Sequence, residues 1–200
     1  MSEEIIGRRF QLSSFQIIIL GFAGVILLGA LLLMLPISTT ERCVTPFNEA
    51  LFTATSAVCV TGLVLHDTGS YWSAFGQTII LTLIQIGGLG VVTVAASFAL
   101  LSRRKISLMQ RSTMQDALSA PNVGGIVRLT KFILWGTFLI ELLGTLVMLP
   151  VFCREYGWQG VWLAIFHSIS AFCNAGFDIL GTAENLYPSL TGYAHNPIIN

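Results

Sequence analysis

Three long apolar stretches, separated by more polar segments, dominate the pattern along the 200-residue chain. They cover residues 17–37, 74–101 and 132–152. Each reaches the roughly 20 apolar residues that a helix needs to cross a bilayer. Pro36 and Pro150 stand near the ends of the first and third stretches, where a helix can stop. The pattern therefore predicts an all-α integral membrane protein in which these stretches are spans.

Two further apolar stretches are too short to be spans. Each begins with a segment of helical pattern, residues 47–57 and 161–171. As a helix such a segment would be about 16 Å long, half the thickness of the hydrocarbon core. Each continues into a glycine-containing segment, residues 58–62 and 172–176. A short helix followed by non-helical backbone is typical of a re-entrant loop, which is tolerated at membrane depth only beside protein or water.

The charges exclude a soluble enzyme or a nucleic-acid-binding protein and orient the spans. Only 10% of the residues are charged, against about 25% in a typical soluble domain. Eight of the ten Lys and Arg residues lie in two segments, residues 1–14 and 102–131. Because cytoplasmic segments of membrane proteins are enriched in Lys and Arg, both are predicted to be cytoplasmic. The chain is thus expected to cross the plasma membrane several times.

An internal repeat relates the two halves of the chain. Residues 26–68 align with residues 140–182 at a constant offset of 114, with 14 identities in 43 positions. The matches include one proline, one cysteine and one glycine, which apolar helices rarely share by chance: Pro36 with Pro150, Cys59 with Cys173, and Gly62 with Gly176. The predicted unit is therefore span, re-entrant pore loop, span, and it occurs twice, over residues 15–101 and, incomplete, over residues 132–200.

The loop sequences indicate ion coordination by backbone carbonyls. Val60-Thr61-Gly62 is close to the first three residues of a potassium-channel filter. In such a filter carbonyl oxygens replace the hydration shell of the ion, and glycine permits backbone angles that are costly for other residues. The predicted coordinating residues are Val58, Cys59, Val60, Thr61 and Gly62 in the first loop, and Phe172, Cys173, Asn174, Ala175 and Gly176 in the second.

With these motifs the chain resembles the Trk/Ktr/HKT superfamily of potassium transporters, most closely the KtrB-type translocating subunits. The resemblance extends from about residue 15 to residue 200. The segments that carry it are 32–38 (LLMLPIS), 50–57 (ALFTATSA), 60–63 (VTGL), 67–69 (DTG), 75–77 (FGQ), 83–90 (LIQIGGLG) and 166–177 (FHSISAFCNAGF).

The resemblance implies a potassium-uptake subunit and not an enzyme. It implies a fold of four units around one pore, with Gly62 and Gly176 as filter glycines. It also implies a homodimer on a cytosolic ring of nucleotide-binding RCK subunits, which the 102–131 loop would contact. No cofactor is expected: potassium is the transported ion and sodium a candidate coupling ion. Membrane lipid, and no nucleic acid, is the other expected partner.

The sequence leaves two possible roles open for each of four residues: two within predicted membrane segments and two acids in the loops. Glu141 is either a functional intramembrane acid or a hydrogen-bonding partner of a neighbouring helix. His167 is either a packed helix residue or a proton relay. Asp67 and Asp178 either concentrate cations at the outer mouth or are ordinary loop acids.

Two other classes of protein fit the sequence less well. An intramembrane enzyme would need a catalytic constellation, but no HExxH motif is present, and His167 and Ser170 lack an orienting acid. A non-conducting scaffold would not explain two loops with glycines in register.

The second unit stops where its return span should begin, at Asn196-Pro197-Ile198-Ile199-Asn200. The natural protein is therefore expected to continue with that span and two further units. The 200 residues alone are not expected to conduct potassium, because this plan takes four loops.

The orientation can be tested with a cysteine introduced at Ser119, in the basic 102–131 loop. We expect it to be inaccessible to a membrane-impermeant thiol reagent in intact cells and accessible after permeabilisation. Labelling from outside intact cells would contradict the cytoplasmic assignment.

Overall fold

The computed structural model shows an all-helical chain. Within the described residues there is no β-strand, and one isolated bridge joins Thr39 to Trp72. The structure describes residues 13–90, 93–94, 112–116, 125–197 and 199. The predicted cytoplasmic segments 1–14 and 102–131 therefore lie largely outside the described residues.

Six α-helices are considered below, two of which have the length and apolar character of membrane spans. These two are α1 and α5; the shorter α4 is also apolar. Their bounds are α1 Ser14–Leu33, α2 Phe47–Val58, α3 Thr68–Tyr71, α4 Ala74–Leu89, α5 Ile126–Tyr156 and α6 Gln159–Phe172. Short 3₁₀ helices cover Pro36–Ser38 and Ser189–Tyr193.

Local sequence explains where the helices begin. Ser13 caps α1 in a capping box with Gln16, whose N–H donates to the Ser13 hydroxyl. The Ser73 hydroxyl accepts from the Gly76 N–H and caps α4 in the same way. Pro46 immediately precedes α2, where its fixed φ suits the start of a helix and its missing N–H costs nothing.

Two predicted span boundaries differ from the structure. The span predicted over residues 74–101 is interrupted, because α4 ends at Leu89 and Gly90 has a φ of 80°, outside the helical region. Residues 91–92 and 95–101 of that span lie outside the described residues.

Pro150 does not end its helix, since α5 continues to Tyr156. A proline within a membrane helix is tolerated where neighbouring groups satisfy the freed carbonyl.

The helices form two groups that meet at α4. In the first group α1, α2 and α4 pack against one another, and in the second α5 packs against α6. Contacts between α4 and α6 join the groups. The shared core contains large, fully buried side chains from both groups, including Leu33, Ile80, Ile84, Phe152 and Phe166. This arrangement brings the C-terminal ends of α2 and α6, and the loops that follow them, to one helix.

Two consecutive glycines of α4 provide the space for both loops. A Cβ on Gly87 would collide with the backbone of Val58, at the end of α2. A Cβ on Gly88 would lie 3.0 Å from the Cβ of Cys173, just after α6. The small residues therefore allow one helix to contact both loop beginnings at backbone distance.

Alanine at Gly87 should destabilise the protein, because the backbone of Val58 cannot move without displacing α2. We expect a loss of roughly 1–3 kcal/mol, the usual cost of overpacking a closely packed site. The measurement is the midpoint of thermal unfolding of the purified native protein in detergent.

Gly24→Ala is the matched control in α1, because no atom lies within 4 Å of a Cβ placed there. It should leave the unfolding midpoint unchanged or raise it, since alanine favours a helix interior over glycine by about 0.5–1 kcal/mol. Equal effects of the two substitutions would contradict the packing at Gly87.

Candidate functional site

The two predicted coordinating loops have the same backbone conformation. Their positive-φ residues lie at repeat-equivalent positions: Val60 at 57° and Asn174 at 56°, Gly62 at 70° and Gly176 at 71°. Valine rarely adopts positive φ, because its branched side chain crowds the backbone there. Residues held in such conformations cost about 1–3 kcal/mol each and persist only where the surroundings fix them.

The hydrogen bonds that hold these loops also repeat. The Thr61 N–H donates to the Ser56 carbonyl at 3.0 Å, and the equivalent Ala175 N–H donates to the Ser170 carbonyl at 2.7 Å. The Val60 N–H also donates to the Ala57 carbonyl at 3.3 Å, and the equivalent Asn174 N–H donates to the Ala171 carbonyl at 2.9 Å, so each loop folds back on the last turn of its own helix. The offset of 114 found in the sequence therefore also relates the backbone geometry of the two segments.

The carbonyl oxygens of the two loops, unlike their N–H groups, are left without hydrogen-bond partners in the described part of the chain. Among the described residues, the carbonyls of 59–62 and 173–176 accept no hydrogen bond. Backbone carbonyls are strong acceptors, and Cys59, Thr61, Asn174 and Gly176 are exposed in the described part of the chain. These two short segments can therefore offer main-chain oxygens to another species.

The two loops meet at their glycines. A Cβ on Gly62 would lie 2.6 Å from the carbonyl oxygen of Ala175 and 3.3 Å from the Cα of Gly176. A Cβ on Gly176 would lie 3.5 Å from the Cα of Gly62. The structure therefore brings together the two segments that the sequence singled out, although they are 114 residues apart.

Glu141 forms a hydrogen bond between helices. Its side chain is 4% exposed, and its Oε1 accepts from Gln85 Nε2 of α4 at 2.8 Å. Its backbone carbonyl accepts from the Ser168 hydroxyl of α6 at 2.7 Å. These contacts correspond to the role of Glu141 as a hydrogen-bonding partner of neighbouring helices. They join α5 to both α4 and α6.

His167 is packed within α6. Its ring is 2% exposed and lies 5.3 Å from the ring of Phe152, centroid to centroid. Its Nδ1 is 2.8 Å from the Leu163 carbonyl, while Nε2 has no partner in the described part of the chain. These contacts are those of a packed helix residue, and they include no second titratable group through which a proton would pass.

The two loop acids differ in their surroundings. Asp67 is 4% exposed and accepts hydrogen bonds from Ser70 and Tyr187, so it is not an ordinary solvated acid. Asp178 is half-buried, and its Oδ1 accepts from the Leu180 N–H at 3.1 Å. Burial raises the pKa of Asp178; the Leu180 hydrogen bond opposes this shift and the nearby charge of Asp67 adds to it.

Sequence reasoning missed several contacts of the outer loops. His66 stacks on Tyr71 with a centroid separation of 4.0 Å, and its Nε2 lies 2.7 Å from Glu49 Oε2. Tyr187 reaches back to the first unit through both its N–H and its hydroxyl. His66 and Tyr71 are five residues apart in the sequence. The partners in the other pairs are 17 to 122 residues apart, so no local pattern signals them.

Comparison with known proteins assigns the chain to a family. The family model for TrkH, described as a cation transport protein, matches residues 9–200. The chain is 44% identical over 174 residues to the potassium/sodium uptake protein NtpJ of Enterococcus hirae, covering 86% of this chain and 39% of that protein.

Two proteins named Ktr system potassium uptake protein B are also similar. The one from Bacillus subtilis is 43% identical over 187 residues, covering 92% of this chain and 40% of that protein. The one from Vibrio alginolyticus is 37% identical over 186 residues, covering 92% of this chain and 39% of that protein. The chain thus spans about 40% of the length of these curated relatives. These matches confirm the resemblance found in the sequence: the chain belongs to the TrkH family of cation transport proteins, as a KtrB-type member.

Proposed function

We propose that this chain is part of a membrane subunit for potassium uptake, in which main-chain carbonyls of residues 58–62 and 172–176 select the ion. One observation carries the proposal: two loops of the same backbone conformation meet at Gly62 and Gly176 with carbonyl oxygens that accept no hydrogen bond among the described residues. The names of the relatives, potassium or potassium/sodium uptake proteins, support the same ion class.

Carbonyl oxygens suit potassium because they can replace its hydration shell without adding charge. A carboxylate site would bind the ion more strongly and release it slowly, whereas conduction needs weak, successive sites. Among the described residues no cluster of His, Cys, Asp or Glu is suited to hold a metal ion. The chemistry available where the loops meet is therefore that of backbone oxygens.

The short helices α2 and α6 are assigned to the pore as re-entrant pore helices. With 12 and 14 residues they would be roughly 18 and 21 Å long, less than a hydrocarbon core. Their exposed apolar faces, which include Phe52 and Phe172, would be covered by lipid or by further units. Four such loops around one pore would complete the site.

The remaining parts of the proposal concern location and partners. The subunit would lie in the plasma membrane with its N-terminus in the cytoplasm, as a homodimer on a cytosolic RCK nucleotide-binding ring. The 102–131 loop would contact that ring. The relatives named as Ktr system proteins support a multi-component assembly.

Sodium is a second candidate ion, either coupled to potassium uptake or transported itself. The relative NtpJ is named a potassium/sodium uptake protein, which favours this alternative. Uptake of each ion measured in the presence and absence of the other would separate coupling from simple competition.

The filter assignment is tested by Gly62→Ser in the native protein. A serine Cβ would strain a backbone at φ 70° and press on the Ala175 carbonyl, so we expect the preference for potassium over sodium to fall. A free-energy change of about 1–3 kcal/mol corresponds to roughly a 5- to 150-fold change in an equilibrium. Gly176→Ser should act in the same direction but less strongly, because its Cβ has more room.

Gly136→Ser is the control, because nothing lies within 4 Å of a Cβ on that glycine of α5. The three variants are compared for potassium and sodium uptake at equal membrane abundance, in cells that lack their own potassium-uptake systems. An unchanged ion preference in both filter variants would overturn the assignment.

A further inference from the structure

The outer loops that follow the two coordinating segments are linked to each other by hydrogen bonds. The first loop, residues 63–70, contains Asp67; the second, residues 177–187, ends at Tyr187. The Tyr187 N–H donates to Asp67 Oδ2 at 2.9 Å, and the Tyr187 hydroxyl donates to the Leu65 carbonyl at 3.2 Å. Both bonds join chain segments about 120 residues apart.

Asp67 uses both carboxylate oxygens. Its Oδ1 accepts from the N–H and the hydroxyl of Ser70, each at 2.8 Å, and so caps the short helix α3. Its Oδ2 is left for Tyr187. One oxygen therefore fixes the acid within its own loop, while the other holds the loop of the second unit.

The repeat shows that the second unit makes room for this acid. At the offset of 114, the equivalent of Asp67 is Gly181. These two residues are in contact, because a Cβ on Gly181 would overlap the Asp67 carboxylate. The two units thus differ at this position in a complementary way: one supplies the carboxylate and the other supplies the space for it.

Tyr187 itself requires support. Its φ of 54° lies in the left-handed region, which costs a non-glycine residue free energy unless contacts hold it. The Asp67 carboxylate and the Leu65 carbonyl are the contacts present on its N–H and its hydroxyl. Each of the two bonds therefore pairs a backbone group of one loop with a side chain of the other, which gives the link a defined geometry.

We propose that Asp67 is a positioning residue that fixes the outer loops of the two units to each other and thereby sets the spacing of the carbonyls used for ion selection. Asp67 lies five residues after Gly62, and Gly181 lies five residues after Gly176, so the link acts close to both segments. The inference rests on the proposed function, since it concerns discrimination by that same site.

Asp67→Asn is the decisive variant. It keeps the shape and an oxygen for Ser70, but the amide nitrogen cannot accept from the Tyr187 N–H. Two donors would then face each other, and the link between the units would be lost. We expect the potassium-over-sodium preference to fall about tenfold, equivalent to the roughly 1.4 kcal/mol that one such buried hydrogen bond can contribute.

Asp178→Asn is the matched control. It removes a negative charge from the same mouth, yet its only hydrogen bond described is within its own loop, to the Leu180 N–H, and an amide oxygen can accept that bond. We expect its ion preference to stay within about twofold of the unsubstituted protein. An equal loss of the potassium-over-sodium preference in both variants would show that the negative charge of the two acids sets the preference. It would overturn the inference that the link sets it.

A measurement independent of transport separates this inference from the proposed function. Spin labels at Leu63 and Glu184, both exposed, report the distance between the two outer loops. Asp67→Asn should broaden the distance distribution and Asp178→Asn should not; unchanged distributions in both would overturn the link. If the unsubstituted protein shows no potassium preference while the distances respond as expected, the proposed function fails and the link between the loops stands.

Tyr187→Phe is the alternative variant to test if the Asp67→Asn protein does not reach the membrane. It removes only the hydroxyl bond to Leu65 and keeps the bond to Asp67. A smaller loss of ion preference, in the same direction, is expected. An unchanged preference and unchanged distances would count against the link.

Discussion

Free carbonyl oxygens in a fixed backbone are the constraint on which the rest of this structure depends. An unpaired polar group costs several kcal/mol in lipid, so such a segment must be held by protein or line water. The molecule meets this need by anchoring the N–H side of each loop: Thr61 to Ser56 and Ala175 to Ser170. The packing of α4 at Gly87 and Gly88 then places both loops against one rigid helix.

The two loops repeat their backbone conformation more faithfully than their side-chain contacts. The Ser56 hydroxyl pairs with the Thr61 hydroxyl at 2.9 Å, whereas the equivalent Ser170 hydroxyl donates to the Phe177 carbonyl at 2.7 Å. At another pair of repeat-equivalent positions, the Asp67 carboxylate lies against Gly181. A site built from main-chain oxygens needs equal backbone geometry from each unit, and side chains can differ wherever they hold that geometry in place.

Polar side chains inside the apolar helices also hold the backbone in place, through hydrogen bonds between helices. Glu141 is bonded to Gln85 through its side chain and to Ser168 through its carbonyl, so three helices are tied together behind the second loop. Inside a membrane such bonds contribute modestly, roughly 1 kcal/mol each, but they specify one arrangement of apolar helices that could otherwise slide. The buried acid thus supports the packing of α4, α5 and α6 against one another.

The sequence by itself determined the features that depend on local pattern. Hydropathy and length predicted the spans and the short helices, and the repeated glycines marked both loops, because these properties are set by a few neighbouring residues. The structure differs from the predicted boundaries at two places: Pro150 lies inside α5, and α4 ends at Leu89. Only the tertiary structure placed Gly62 beside Gly176, gave Glu141 its partner and showed Asp67 to be buried between two units. Those contacts join residues 56 to 120 positions apart, and no local pattern records which distant segment will fill a given space.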